Sequence, residues 1–222
     1  MASGQTSFSR KVKLAVLNGL ARLIPAKLAR IRANQKTNRA LLLQFGDLRS
    51  EADWKSLMVK GLENESSQIF GLVVQTIRDI EAPLKSMLLA GEAASAKQVY
   101  AEIAGIPVQN ITTAGLHDDA DHKWNFEEAP AQIGRYQCIV SYAILEHLID
   151  PYRHVRDLSD LLDSGGNLVI FTVSPGFPYH RHPIDCVRFF PDWFETVGER
   201  LGLEIADRFY GSERIMYRYR KP

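Results

Sequence analysis

The chain has 222 residues, 45% of them hydrophobic, and a formal net charge of +1. This is enough for one well-buried core with an appendage and short for two full domains. Two cysteines, Cys138 and Cys186, are too few for a disulfide framework and form no Cys-x-x-Cys pair, no apolar run approaches the ~20 residues that cross a bilayer, and no secretory leader is evident, so a cytoplasmic protein is expected.

The charge is unevenly spread. Between Met1 and Phe45 there is no Asp or Glu, while Arg10, Lys11, Lys13, Arg22, Lys27, Arg30, Arg32, Lys36 and Arg39 all fall there. Val12, Val16, Leu20, Leu23 and Ile24 recur near helical spacing until Pro25 interrupts the pattern, which predicts a basic, amphipathic helical arm. Three readings of the arm compete: a helix packed on the rest of the protein or on a sister subunit of a homo-oligomer, a helix lying peripherally on an anionic membrane surface, and a nucleic-acid contact or targeting peptide. The lack of aromatics between Phe8 and Phe45 argues against a surface for stacking single strands.

From Asp47 to Lys85, Trp54, Leu57, Met58, Leu62, Ile69, Leu72, Val73, Ile77 and Ile80 lie near i, i+3, i+4 spacing, and Pro83 ends the pattern. Residues 1–83 therefore read as a helical N-terminal extension and residues 84–222 as an α/β domain. In the latter, Met87 to Ala90 is an apolar run that enters a small-residue turn, Gly91 to Ser95, and a second strand is expected within Val108 to Leu116. Cys138 to Tyr142 reads as a strand, a helix-like segment begins near Glu146 and His147, and Ser164-Gly165-Gly166 turns the chain into another strand, Leu168 to Val173. Strand, helix, Gly turn and strand are the grammar of a parallel sheet with crossover helices. Asp192 to Leu201 is helix-like, and Leu203 to Tyr210 and Arg214 to Arg220 read as two closing strands.

The segment from Tyr136 to Phe190 resembles the second half of a class I S-adenosylmethionine-dependent methyltransferase of the small-molecule, type 11 kind. The resemblance rests on Ser141, Leu145-Glu146-His147, Asp150-Pro151, Ser164-Gly165-Gly166 and a His-Pro-x-Asp-x-x-Arg-Phe run at His182-Pro183-Ile184-Asp185-Cys186-Val187-Arg188-Phe189. It extends more weakly back to Leu84. It implies a Rossmann-like sheet, mostly parallel with a C-terminal antiparallel hairpin, and S-adenosylmethionine as cofactor. By family position Gly91 stands at the first glycine of the cofactor loop, but Ala93 and Ser95 replace the next two and Leu89 stands where an acid is usual. Glu92 would supply a displaced carboxylate. Gly115 occupies the position of the ribose-binding acid, with Asp118 and Asp119 several residues late, and Asn125 replaces the residue that meets the adenine amine, with Trp124 or Phe126 over its face. Ser141 and Tyr142 end a strand at the edge where ligands of such sheets bind.

The His-rich loop after the fifth strand, Tyr179-His180-Arg181-His182-Pro183-Ile184-Asp185, carries the sharpest chemistry. Removing a hydroxyl proton during methyl transfer calls for a base titrating near neutral pH, a role open to His180 or His182 with Asp185 as orienting group. Arg188 would instead pair with Asp185 and pin the loop, with Phe189, Phe190 and Trp193 as anchors. A zinc reading of this loop is set aside, because the resemblance accounts for the same letters without a metal and no second ligand cluster is evident. The expected activity is O-methylation of a sugar, glycan or other small metabolite. Its rival is a degenerate, inactive methyltransferase-like binding or scaffold subunit, motivated by the missing acids and glycines. Nucleic acid is not an expected substrate, since no Asn-Pro-Pro-Tyr-type or Pro-Cys motif is present.

Overall fold

The computed structural model describes residues 65–130, 132–211 and 213–222, with side chains from residue 71 onward. The basic arm, Trp54 and the side chain of Phe70 lie outside the described residues. Seven strands form one sheet: β1 (Met87–Ala90), β2 (Ile111–Gly115), β3 (His122–Lys123), β4 (Tyr136–Tyr142), β5 (Leu162–Val173), β6 (Glu204–Gly211) and β7 (Arg214–Arg220), in the order β3-β2-β1-β4-β5-β7-β6. The strands from β3 through β5 run parallel, and β7 runs antiparallel to both β5 and β6. This is the expected mixed Rossmann-like sheet. Among the described residues four α-helices accompany it: α1 (Glu65–Arg78), α2 (Lys97–Ala104), α3 (Pro151–Asp160) and α4 (Pro191–Leu201).

The period of two in each strand divides the core into two layers. Leu88, Ile139, Leu168 and Ile170 pack with Val155 and Leu158 of α3 and Phe194 and Val197 of α4. Met87, Leu89, Cys138, Val140, Val169 and Phe171 pack on the other face with Leu72, Val73 and Ile77 of α1 and Tyr100 of α2. A strand buried on both faces has no polar alternate position, so these strands are legible as continuous apolar runs. β1 lies between β2 and β4, so the crossovers leave it toward opposite sides. That reversal opens a crevice at the carboxyl edge of β1 and β4.

Two local expectations are corrected. Glu146 and His147 do not begin the helix: they lie in a separate 3-10 turn, Leu145–His147, and α3 starts only at Pro151. Asp150 sets that start, its carboxylate accepting the Arg153 N–H at 3.0 Å while Pro151 fills the first helical position, where no amide is needed. The Ser164-Gly165-Gly166 turn is an excursion inside β5. Pairing with β4 passes from Tyr136 opposite Leu162 to Cys138 opposite Asn167, and the excursion is tied to the chain end by Gly165 N–H to Lys221 C=O at 2.8 Å.

His154 of α3 is wholly buried against the Phe126 ring, 4.5 Å away, with its Nε2 3.1 Å from the Ser141 hydroxyl. Burial pushes its pKa down to about 3 from the ordinary 6.5. The unfolded chain then binds a proton that the folded chain refuses, so stability is fully present above pH 6.5 and falls as pH drops below it. The slope from this one group is at most about 1.4 kcal/mol per pH unit. His154→Phe is expected to flatten that acid limb, measured as the difference between urea unfolding curves at about pH 5 and about pH 8.

Candidate active site

The crevice at the carboxyl edge has a volume of about 560 Å3 and is bordered by Gly91 and Glu92 after β1, Asn125 and Phe126 after β3, Tyr142 at the end of β4, and His147 and His182 opposite. Its floor depends on close backbone approach. The Gly91 N–H donates to Ala114 C=O at 2.8 Å, and a Cβ on Gly115 would stand 3.3 Å from the Gly91 Cα. Gly91 has a φ of +92°, and a Cβ there would come within 2.2 Å of the Ile144 side chain. Two constraints thus demand glycine at this position. Ile144 follows Ala143, whose φ of 52° is unusual for a residue with a side chain and folds the chain back over Gly91.

Of the residues singled out in the sequence, Gly91, Glu92, Asn125, Tyr142 and His182 border the crevice, whereas Ala93, Trp124, Ser141, His180 and Asp185 do not. Burial pushes the Glu92 carboxyl up, against weaker opposing effects of the Tyr100 hydroxyl at 3.4 Å and of His117. Asn125 is engaged locally, donating to Glu128 Oε1 at 3.1 Å and accepting the Glu127 N–H at 3.2 Å. Tyr142 lies stacked on Phe171 with centroids 5.1 Å apart, and burial pushes its phenol up to about 12, so it stays a neutral donor. Trp124 is buried, its indole N–H given to Glu128 C=O at 3.2 Å, and the ring that reaches the crevice is Phe126. Ser141 spends its hydroxyl on His154. Asp118 pairs with Lys123 on the surface, and Asp121 ties β2 to α2 through Thr113 N–H at 2.7 Å and through Lys97. Burial alone would raise the Asp121 pKa, but those hydrogen bonds outweigh it and hold it below the ordinary value.

The His-rich loop is clamped onto the 3-10 turn. Glu146 C=O accepts the Cys186 N–H at 2.8 Å, and His147 Nδ1 lies 2.6 Å from Ile184 C=O. Arg188 grips both oxygens of Asp185, one at 2.7 Å, and also donates to Phe177 C=O and Pro178 C=O. That bidentate pair holds the Asp185 carboxyl well below the usual carboxylate range, against the opposing effect of burial. Phe189 is buried as an anchor and Trp193 packs against the core, while Phe190 is exposed. Behind the loop the Glu146 carboxylate is fully buried, with Oε2 accepting the Thr172 hydroxyl at 2.6 Å. Its Oε1 faces His180 Nε2 at 3.8 Å and His147 Nε2 at 4.0 Å. Asp185 stands behind His180, 3.5 Å from Nδ1.

With this geometry in view, solved structures supply the comparison. The sugar N-methyltransferase KedS8 from Streptoalloteichus sp ATCC 53650 superposes with a TM-score of 0.55 over 68% of this chain and 85% of its own, at 12% identity. The fold is that of the class I S-adenosylmethionine-dependent methyltransferases. A methyltransferase fold does not fix the reaction, since the [4+2]-cyclase SpnF superposes with a TM-score of 0.52 over 71% of this chain and 82% of its own, at 13% identity. The chain spans 61% of an O-methyltransferase family protein from Burkholderia thailandensis, with 72% of this chain aligned, 9% identity and a TM-score of 0.49. At the sequence level no family model and no curated protein matches.

The Asp185–Arg188 clamp yields a direct test. Arg188→Ala leaves a buried carboxylate without its cation and is expected to cost about 2 kcal/mol, read from the urea midpoint. Arg188→Lys should recover only part of this, because an ammonium cannot grip both oxygens.

Proposed function

We propose that the protein transfers a methyl group from S-adenosylmethionine to a hydroxyl of a sugar, glycan or other small metabolite. The observation that carries this reading is the crevice itself, of about 560 Å3, lying at the switch point of the sheet with a half-buried carboxylate and an aromatic ring on one side and His182 on the other. Its size is that of a site for a ligand of nucleoside dimensions. The residues bordering the crevice support the cofactor in part: in this reading Glu92 accepts from a ribose diol, Phe126 covers an adenine face, and the Tyr142 hydroxyl donates to a carboxylate. Bound S-adenosylmethionine supplies an electrophilic methyl group.

His182 borders the crevice and is the proposed base for the acceptor hydroxyl, while the clamp formed by Asp185 and Arg188 holds the loop that carries it. The basic arm supports delivery of this site to an anionic membrane surface, where lipid-linked acceptors reside. Two observations favour the rival scaffold reading. Ile144 occupies the space directly beside Gly91, and the end of β2 offers Gly115 where a carboxylate would bind ribose.

Calorimetry with S-adenosylmethionine separates the two. Saturable heat is expected from the folded protein, weakened about tenfold or more by Glu92→Gln. Ile144→Ala, which opens the space beside Gly91, should tighten binding. Absence of heat at millimolar cofactor for both the parent and Ile144→Ala would leave only the scaffold. For the arm, deleting Met1 to Lys36 is expected to abolish co-sedimentation with vesicles containing anionic lipid.

A further inference from the structure

The crevice accounts for His182 and one edge of His147, yet it gives no role to the buried carboxylate behind them. Glu146 is 0% exposed, and its Oε1 has no hydrogen-bond partner although Oε2 is bonded to Thr172. A carboxylate oxygen left without a partner in a closed interior is costly and calls for a cation. Two imidazole nitrogens face it, His180 Nε2 at 3.8 Å and His147 Nε2 at 4.0 Å. These distances exceed hydrogen-bond range, so neither ring bonds the oxygen directly. They agree with a shared metal ion, because two ligands each ~2.1 Å from one centre stand roughly 3.4 to 4.2 Å apart.

An outer hydrogen bond orients the His147 ring, and Asp185 stands behind that of His180. Ile184 C=O can only accept, so His147 Nδ1, 2.6 Å away, carries the proton and leaves the Nε2 lone pair toward Glu146. His180 turns its Nδ1 toward the Asp185 carboxylate at 3.5 Å and its Nε2 toward the same oxygen. Metal-binding histidines are held as His147 is, one nitrogen on an outer acceptor and the other on the ion, while Asp185 holds His180 through its backbone N–H at 2.7 Å and leaves the ring Nδ1 without a hydrogen bond. The three ligand atoms lie within 4.8 Å of one another, a span wider than the ~4.2 Å that one ion at ~2.1 Å bridges, so the side chains draw in when an ion binds. Glu146 and His147 come from the turn after β4, and His180 from the loop after β5.

We propose that Glu146, His147 and His180 bind one divalent transition-metal ion. Two imidazoles and one carboxylate suit zinc, cobalt, iron or nickel better than magnesium or calcium, which prefer all-oxygen sites. Three protein ligands leave at least one position open, as in metal sites that take a substrate oxygen. His147 borders the crevice, so the ion adjoins it. The proposal concerns binding and stands apart from the methyl-transfer reading, which is tested with S-adenosylmethionine alone.

The test uses the full chain, freed of metal with a chelator and titrated with Co2+. A single saturating equivalent with d–d absorption bands of a nitrogen- and oxygen-bound ion is expected, displaced by Zn2+, together with a higher melting temperature. Glu146→Gln and His180→Ala should abolish the bands, and Asp185→Asn should weaken binding about tenfold through its hold on His180. His122→Ala, on β3, should leave the titration unchanged. His180 is partly exposed, so its variant remains informative if Glu146→Gln fails to fold. A folded parent without bands at millimolar Co2+, or bands that persist in His180→Ala, would overturn the proposal.

Discussion

A single buried carboxylate organises the carboxyl edge of this protein. Glu146 reaches Thr172 on β5 through one oxygen and two histidines through the other, while its backbone carbonyl holds Cys186 in the loop beyond β5. Its side chain thus ties the turn after β4 to β5, and its backbone ties the same turn to the loop beyond. A charge in a closed interior persists only where its surroundings pair it, so the loop is held to the sheet by an electrostatic demand as well as by packing.

The opposite wall of the crevice obeys a steric constraint. Gly91, just after β1, and Gly115, the last residue of β2, bring their backbones nearly into touch, and Ile144 lies where a side chain on Gly91 would go. The alanines and serine that follow Gly91 relax the demand for glycine further along the turn, since the chain there moves into a 3-10 turn and then α2. Close approach is thus concentrated at one residue. Whatever enters this end of the crevice meets the Ile144 side chain and the Glu92 carboxylate together.

The sheet was legible because its central strands are buried on both faces, so Cys138 to Tyr142 and Leu168 to Val173 stand out as apolar runs. The late start of α3 is also written in the sequence, in the capping Asp150 and the following Pro151, although the helix-like segment reads as beginning near Glu146 and His147. At the site, position along the chain sufficed to bring Gly91, Glu92, Asn125, Tyr142 and His182 to the crevice. Contacts between distant residues were another matter. Nothing local tells that Thr172 meets Glu146, that Ile144 covers Gly91, or that a histidine pair is completed by one member from each of two loops. Within the loop alone no ligand cluster is legible, since Cys186 is exposed and the groups that lie near His180 come from the turn after β4.

The contrast between the two cysteines has a practical consequence. Cys138 is sealed in the sheet, and burial pushes its thiol up to about 12, so it presents almost no thiolate to a reagent. Cys186 is open to solvent and its own amide is bonded to Glu146. A maleimide dye would therefore mark one place in the native molecule, on the segment that shuts over the crevice, and its emission would report motion there without any engineered label.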